Sequence, residues 1–400
     1  MRSLENHVMF KLIRIFVVGL ILVVAVNQAF AQATLSGANV VTTAVPFLTI
    51  SPDSRAAGMG DVGVGTSADV NSQHWNAAKY AFTESDMGVA LSYSPWLRNL
   101  ADDINLAYLV GYKRLDDYQT LSASLRYFSL GDILFYDDQA QYQGQQNPNE
   151  FAIDFGYTRL LSDYFSGAVT GRYIRSDLTG GQMINNVESH AGNSYAVDVA
   201  FYYRNEFMTG RQENLFSAGI NIQNIGAKIS YTDGEVKDFI PTNMKLGAAY
   251  TTELDDYNTI TFAVDLNKLL VPTPPRDTTT YDDGDIIYPG GINSDISVVG
   301  GMFSSFGDAP GGMKEELQEV NISAGVEYWY NKQFAIRAGY FYEHENKGNR
   351  KFMTAGAGLK LNVFALDFSY LLPLVRNHPL ENTLRFTLSF DVDAFSGQNR

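Results

Sequence analysis

The chain has 400 residues, a formal charge of −15 at neutral pH and no cysteine. The acidic balance argues against a nucleic-acid partner, which needs a basic surface, and the missing cysteines remove disulfides, thiolate metal sites and thiol nucleophiles. A mean hydropathy near zero excludes a helical inner-membrane bundle but not a membrane barrel, half of whose strand residues are small or polar.

Residues 1–31 read as a secretory signal. Arg2, Lys11 and Arg14 form a positive start, Ile15 to Val26 an apolar stretch, and Ala29-Phe30-Ala31 a small-x-small cleavage site. Gln32 follows, so no lipoprotein anchor is indicated. Removing that segment takes away three positive charges and Glu5, a net +2, which leaves −17 on the mature chain. The apolar run is too short to span a bilayer comfortably, and no later stretch is long and apolar enough to do so as a helix.

Residues 32–85 have a different composition and are expected to form an N-terminal, periplasmic hatch-like segment. The phrase Gly58-Met59-Gly60-Asp61, with further Gly and Ala around it, permits tight turns and close backbone approach inside a barrel mouth. Trp75-Asn76-Ala77-Ala78 completes the hatch motif. A nucleotide loop is the wrong reading, because no strand precedes these glycines and no helix follows in a βαβ unit.

From about residue 86 to 390 the chain repeats a run of roughly 8–12 residues in which large apolar side chains alternate with small or polar ones. Phe151, Ile153, Phe155 and Tyr157 share one face; Ala152, Asp154, Gly156 and Thr158 share the other. Tyr195 to Tyr203, Ile260 to Leu266, Phe364 to Tyr370 and Leu384 to Phe390 repeat the pattern. The fold class predicted is all-β: a transmembrane antiparallel β-barrel of about 14 strands, since an even number closes the sheet without edges. Strands are expected near 86–94, 103–113, 119–129, 151–160, 164–176, 194–204, 214–222, 243–251, 258–267, 319–330, 333–343, 352–361, 363–371 and 383–390. The gaps after strands 2, 4, 8, 10 and 12 are short, the one after strand 6 is intermediate, and those after strands 3, 5, 7, 9 and 13 are long. That alternation is expected of short periplasmic turns and long outside loops, with both termini on the periplasmic side.

Asp154, Asp198, Asp265 and Asp367 recur on the lumen side of four strands. A selectivity ring is one reading; pairing with interior Arg126, Arg172, Arg337 and Arg385 is the favoured one, because barrel interiors are normally polar. The longest loop, 268–318, opens with Pro272-Thr273-Pro274-Pro275 and an acidic stretch of Asp282, Asp283 and Asp285 that lacks the distal glutamate of a calcium loop. It ends on a Pro-Gly turn and a helix-forming stretch. A loop of that length usually has a function. The tail, 391–400, runs on past the last strand.

Four phrases carry a resemblance: Pro46-Phe47-Leu48 through Gly60-Asp61; Ser305-Phe306-Gly307-Asp308-Ala309-Pro310-Gly311-Gly312 through Glu316; Arg337-Ala338-Gly339-Tyr340; and Pro379-Leu380-Glu381-Asn382-Thr383-Leu384-Arg385-Phe386. Together they resemble the PorV family, also described as LptO-type, outer-membrane barrels of the Bacteroidota type IX secretion system. The wider relatives are the FadL-like transporters, which usually carry Asn-Pro-Ala where this chain has Asn76-Ala77-Ala78. The resemblance implies a fourteen-stranded FadL-like barrel in the outer membrane of a Gram-negative bacterium. It also implies a carrier that binds the C-terminal domain of exported cargo, collects it at a SprA-type translocon and delivers it to a PorU-type sortase for attachment to lipopolysaccharide.

Three functions follow as expectations. A docking protein would use exposed aromatics and hinges: Tyr93, Trp96, Leu97, Phe303, Phe306, Asp308, Pro310 and Gly311. A FadL-like transporter of hydrophobic small molecules would use a lumen gated by the hatch. An enzyme would need a constellation around His74, His190, His344 or His378, and no recognisable triad surrounds them. The docking reading is preferred, with no enzyme activity, cofactor or metal expected.

Overall fold

Side chains alternate between faces along a strand, so each of these runs presents an apolar face outward only if the sheet curls shut and hides its polar face. A computed structural model of the protein has that form. It describes residues 39–96, 103–136, 142–180, 183–184, 187–232, 237–274, 279–280, 286–287, 296–375, 380–381 and 383–392. The expected signal segment, Leu97, Asp282, Asp283, Asp285, His378 and most of the tail lie outside the described residues.

Fourteen antiparallel strands form a closed barrel: β1 Met87–Pro95, β2 Ile104–Asp116, β3 Gln119–Leu130, β4 Asn149–Ser162, β5 Phe165–Asp177, β6 Gly192–Thr209, β7 Gln212–Gly226, β8 Asn243–Glu253, β9 Asn258–Leu269, β10 Asn321–Tyr330, β11 Phe334–Tyr342, β12 Lys351–Lys360, β13 Phe364–Pro373 and β14 Leu384–Asp391. Closure is made by β1 against β14, with Gly88 opposite Asp391 and Tyr93 opposite Phe386. Each strand otherwise pairs with its sequence neighbours, so no barrel edge is left open.

Each even-numbered strand from β2 to β12 ends in a tight turn and every odd-numbered one in a longer connection. The gap after strand 6, expected to be intermediate, is a tight turn of Gly210 and Arg211. The strands flanking it run on as a ribbon of mixed polar and apolar residues, Asn205 opposite Phe216 through Thr209 opposite Gln212. Outward aromatics ring both ends: Tyr118, Tyr164, Tyr257 and Phe334 near the tight turns, Tyr93, Tyr127, Tyr195 and Phe386 toward the long loops. That is the girdle pattern of a barrel whose two ends meet the membrane–water boundary.

Residues 39–82 fill the lumen. They comprise a 3₁₀ turn Pro46–Thr49, helix α1 Ser54–Gly58, helix α2 Ser72–Trp75 and a second 3₁₀ stretch Ala77–Phe82. Asp53 caps α1, accepting from the Ala56 N–H at 3.0 Å. The segment begins at the long-loop mouth, where the Asn39 N–H donates to the Asn346 carbonyl, and descends to the turn end, where β1 starts.

Candidate functional site

The plug is tied to the wall on many sides. The Ser54 N–H donates to Thr387 Oγ1 at 2.9 Å and the Gly60 N–H to Thr354 Oγ1 at 2.9 Å. Asp265 Oδ2 accepts from Gly63 and Val64 at 2.8 and 2.9 Å. Ser217 donates to the Gly65 carbonyl, Asn221 to that of Trp75, Thr158 to that of Ala77 and Ser166 to that of Ala78. The hatch motif explains this closeness. Gly60 has φ +75, and a Cβ there would stand 2.6 Å from the Tyr340 backbone nitrogen. Gly339, facing it from β11, would put a Cβ 2.0 Å from the Met59 carbonyl carbon. Gly58, Met59, Trp75 and Asn76 are all buried; Trp75 Nε1 donates to Asp53 at 2.6 Å, and Asn76 spans from the Ala78 N–H to the Phe201 carbonyl. Asp61 occupies a left-handed turn at φ 63.

The lumen aspartates make ion pairs and clamps. Arg172 bridges Asp154 at 2.6 Å and Asp198 at 3.0 Å, and Arg337 joins Glu327 at 2.7 Å to Asp367 at 2.6 Å. The pairing expected for Asp265 is replaced by its clamp on the plug backbone. Arg126 and Arg385 likewise depart from the expected pairing. Arg126 donates to the Leu48 carbonyl at 2.7 Å and contacts His74 Nδ1 at 2.5 Å, while Arg385 lies over the Trp96 ring at 5.3 Å. Below the plug, at the turn end, a cavity of about 640 Å³ ends on the bridges of Arg55 to Asp69 and Glu327, 2.8 Å each.

At the opposite end the long connection after β9 builds a platform. Helix α3, Val298–Ser304, is capped by Ser297, which accepts from the Gly300 N–H at 3.1 Å. A turn over 305–312 leads through Gly312, at φ 67, into helix α4, Met313–Gln318. Glu315, Glu316 and Glu319 turn inward, against the bias of a short charged helix. Lys268 Nζ reaches Glu316 at 3.1 Å and Glu319 at 2.6 Å; Lys347 Nζ reaches Glu315 at 2.8 Å and Glu319 at 2.9 Å. Asn39, at the start of the plug, donates to Glu315 at 3.3 Å, so plug, β9, platform and the loop before β12 share one charge cluster. Burial alone would raise the Glu315 and Glu319 carboxyl pKa values. Hydrogen bonds from Lys347 and the Gly311 N–H for Glu315, and from Lys268, Lys347 and Thr273 for Glu319, hold both below the ordinary range. Asp308 moves the other way, raised by burial and by the Glu316 and Glu319 charges although it accepts from the Thr273 N–H.

With the charges inside, the apolar side chains face out. Phe303 is 75 % exposed, Met313 69 %, Leu317 68 % and Val299 59 %. Of the expected docking residues, Phe303 and Phe306 are exposed here, Pro310 is half-buried, and Gly311 is exposed while its N–H donates to Glu315 at 2.7 Å. Asp308 is buried and props the turn. Tyr93 is exposed on the outer wall of β1, its hydroxyl donating to Asn105 at 2.6 Å. Trp96 is a correction: it is buried under Arg385 with Phe47, Leu48 and Phe128, because it follows the lumen-facing parity of Ser92 and Ser94. Val299, Met313, Leu317 and the two lysines were not singled out by the sequence. A Lys-Glu-Glu-Leu-Gln-Glu run reads as a solvated helix until its partners, far away in the chain, are known. The described histidines include His74, packed against Arg126, and His344, whose ring accepts from the Asn346 N–H at 3.2 Å.

Residues 33–276 match the sequence family described as "Type IX secretion system protein PorV". No curated protein matches the chain significantly. Among solved structures, the toluene transporter TodX of Pseudomonas putida aligns at 11% identity and TM-score 0.47, covering 85% of this chain and 98% of its own. The Ralstonia pickettii toluene transporter TbuX aligns at 7% and 0.42, over 84% and 97%. A Pseudomonas aeruginosa FadL homologue aligns at 10% and 0.39, over 89% and 100%. At these values the likenesses carry no inference about what this chain binds or conducts.

Proposed function

The chain belongs to the PorV family of type IX secretion system proteins, and on that premise we propose that it is a docking protein of the outer membrane, with no chemistry of its own. Its long-loop rim faces the outside, holds the C-terminal domain of an exported cargo protein, and hands it from a SprA-type translocon to a PorU-type sortase beside lipopolysaccharide. The observation that carries this reading is the crest of Val299 and Phe303, presented on a loop that five buried charges fix to the barrel. Exposed aromatics on a rigid support are what protein interfaces use as anchors, since little ordering is lost on binding. The alternative, a FadL-like transporter of hydrophobic small molecules, is less well supported. The plug is hydrogen-bonded to strands around the wall, and the cavity beneath it ends on ion pairs.

The test is a binding titration of the full mature chain in mild detergent with an isolated cargo C-terminal domain. Val299→Asp with Phe303→Asp should weaken binding by about tenfold or more, the scale of losing a hot spot, with the barrel's heat-dependent gel shift retained. Undiminished binding contradicts the assignment.

A further inference from the structure

The outer wall does not stop at the strand ends. Leu246 of β8 and Leu266 of β9 are register partners, both on the outward face and both 40 % exposed. One step further along the outward face of β9 comes Lys268, which is buried. A bare cation at that position would sit at the edge of the hydrocarbon, where charge is costly; here Glu316 and Glu319 cover it. Helix α4 is consequently inverted relative to a helix in water, with carboxylates buried against the protein and Met313 and Leu317, four residues apart, exposed along the side that borders the wall. Its partition of polar inside and apolar outside is that of the lipid-facing strands. Between helix and wall lies a groove of about 250 Å³, lined by Met244, Leu246, Leu266, Phe306, Met313 and Leu317.

We propose that this groove seats one acyl chain of an outer-leaflet lipid, so that α4 lies in the membrane boundary as an upward continuation of the barrel wall. Continuity with the wall selects that occupant. The groove's floor, Leu246 and Leu266, is the surface that meets lipid on any membrane-spanning barrel, its roof adds Phe306, Met313 and Leu317, and the charged groups that border it, Lys268 and Glu316, are paired with each other. The inference goes beyond the docking reading and is independent of it, since Val299 and Phe303 line none of the groove.

The experiment places Leu317→Trp in the full mature chain, reconstituted into phosphatidylcholine vesicles whose acyl chains are either plain or brominated. Emission is read as the difference from the parent protein, which has Trp75, Trp96 and Trp329. Phe155→Trp, on the open outward face in the middle of β4, is measured in parallel and defines the quenching of a lipid-facing site in the same inserted samples. The added emission at 317 should be blue-shifted, lose intensity to brominated chains as Phe155→Trp does, and resist aqueous acrylamide. Quenching by acrylamide together with insensitivity to bromine would overturn the proposal and give the groove to water or to a protein partner.

Discussion

Gly60 shows how single residues decide whether this barrel can be filled. Its φ of +75 is open to glycine at no steric cost, and the wall backbone at Tyr340 leaves no room for a Cβ. Gly60→Ala should therefore lower stability by about 2 kcal/mol or more, the combined scale of a strained backbone and an overpacked contact. Urea unfolding in detergent, followed through the buried Trp75, would show a lower midpoint; an unchanged midpoint would refute the close approach. The sequence made the glycines conspicuous, but it did not tell which strand each would meet. It showed the lumen aspartates too, and three of them are paired as their spacing suggested. Asp265 is not, because a clamp on the Gly63 and Val64 N–H groups is a contact some two hundred residues apart that no local pattern encodes. Trp96 misled for a similar reason: an aromatic just past a strand looks like a rim anchor until the plug that covers it is in place.

Elements were more legible than contacts. The two-residue period and the parity of the loops located all fourteen strands to within a few residues, since a closed sheet forces every run to alternate and every other turn to be short. The 205–212 ribbon is hard to read because Asn205 and Thr209 interrupt the outward apolar face and leave Phe207 isolated on it. Helix α4 was legible as a helix and illegible as an inverted one. Its anchorage has a pH signature that follows from the carboxylates. Glu315 and Glu319 titrate below their unfolded value of about 4.3, so they stabilise the docked loop above that value, and the contribution is lost as pH falls through their lower folded values. Asp308, held high, has the opposite sign and favours docking slightly as pH drops from neutral toward the ordinary carboxylate range. Hydrogen exchange over 298–319, corrected for its intrinsic pH dependence, should stay protected from neutral pH to about pH 4.5 and rise sharply below about pH 4. A steady rise beginning near neutrality would contradict the cluster's role.

At the scale of the whole molecule, the fold divides labour between two ends of one cylinder. The turn end is closed by the plug and by ion pairs, and the loop end carries a platform whose charges are spent on rigidity and whose apolar groups are left facing outward. That arrangement is what a carrier needs: a stable anchor in the membrane and a preorganised surface above it. It was the family resemblance, not the periodicity, that suggested cargo, because strands in a membrane say nothing about what meets their loops. The most direct test is therefore to purify the tagged chain from the outer membrane in mild detergent and identify by mass spectrometry what leaves with it. The account predicts exported proteins that share a common C-terminal domain, with translocon or sortase subunits among them. A lone barrel accompanied only by hydrophobic small molecules would contradict it and favour transport.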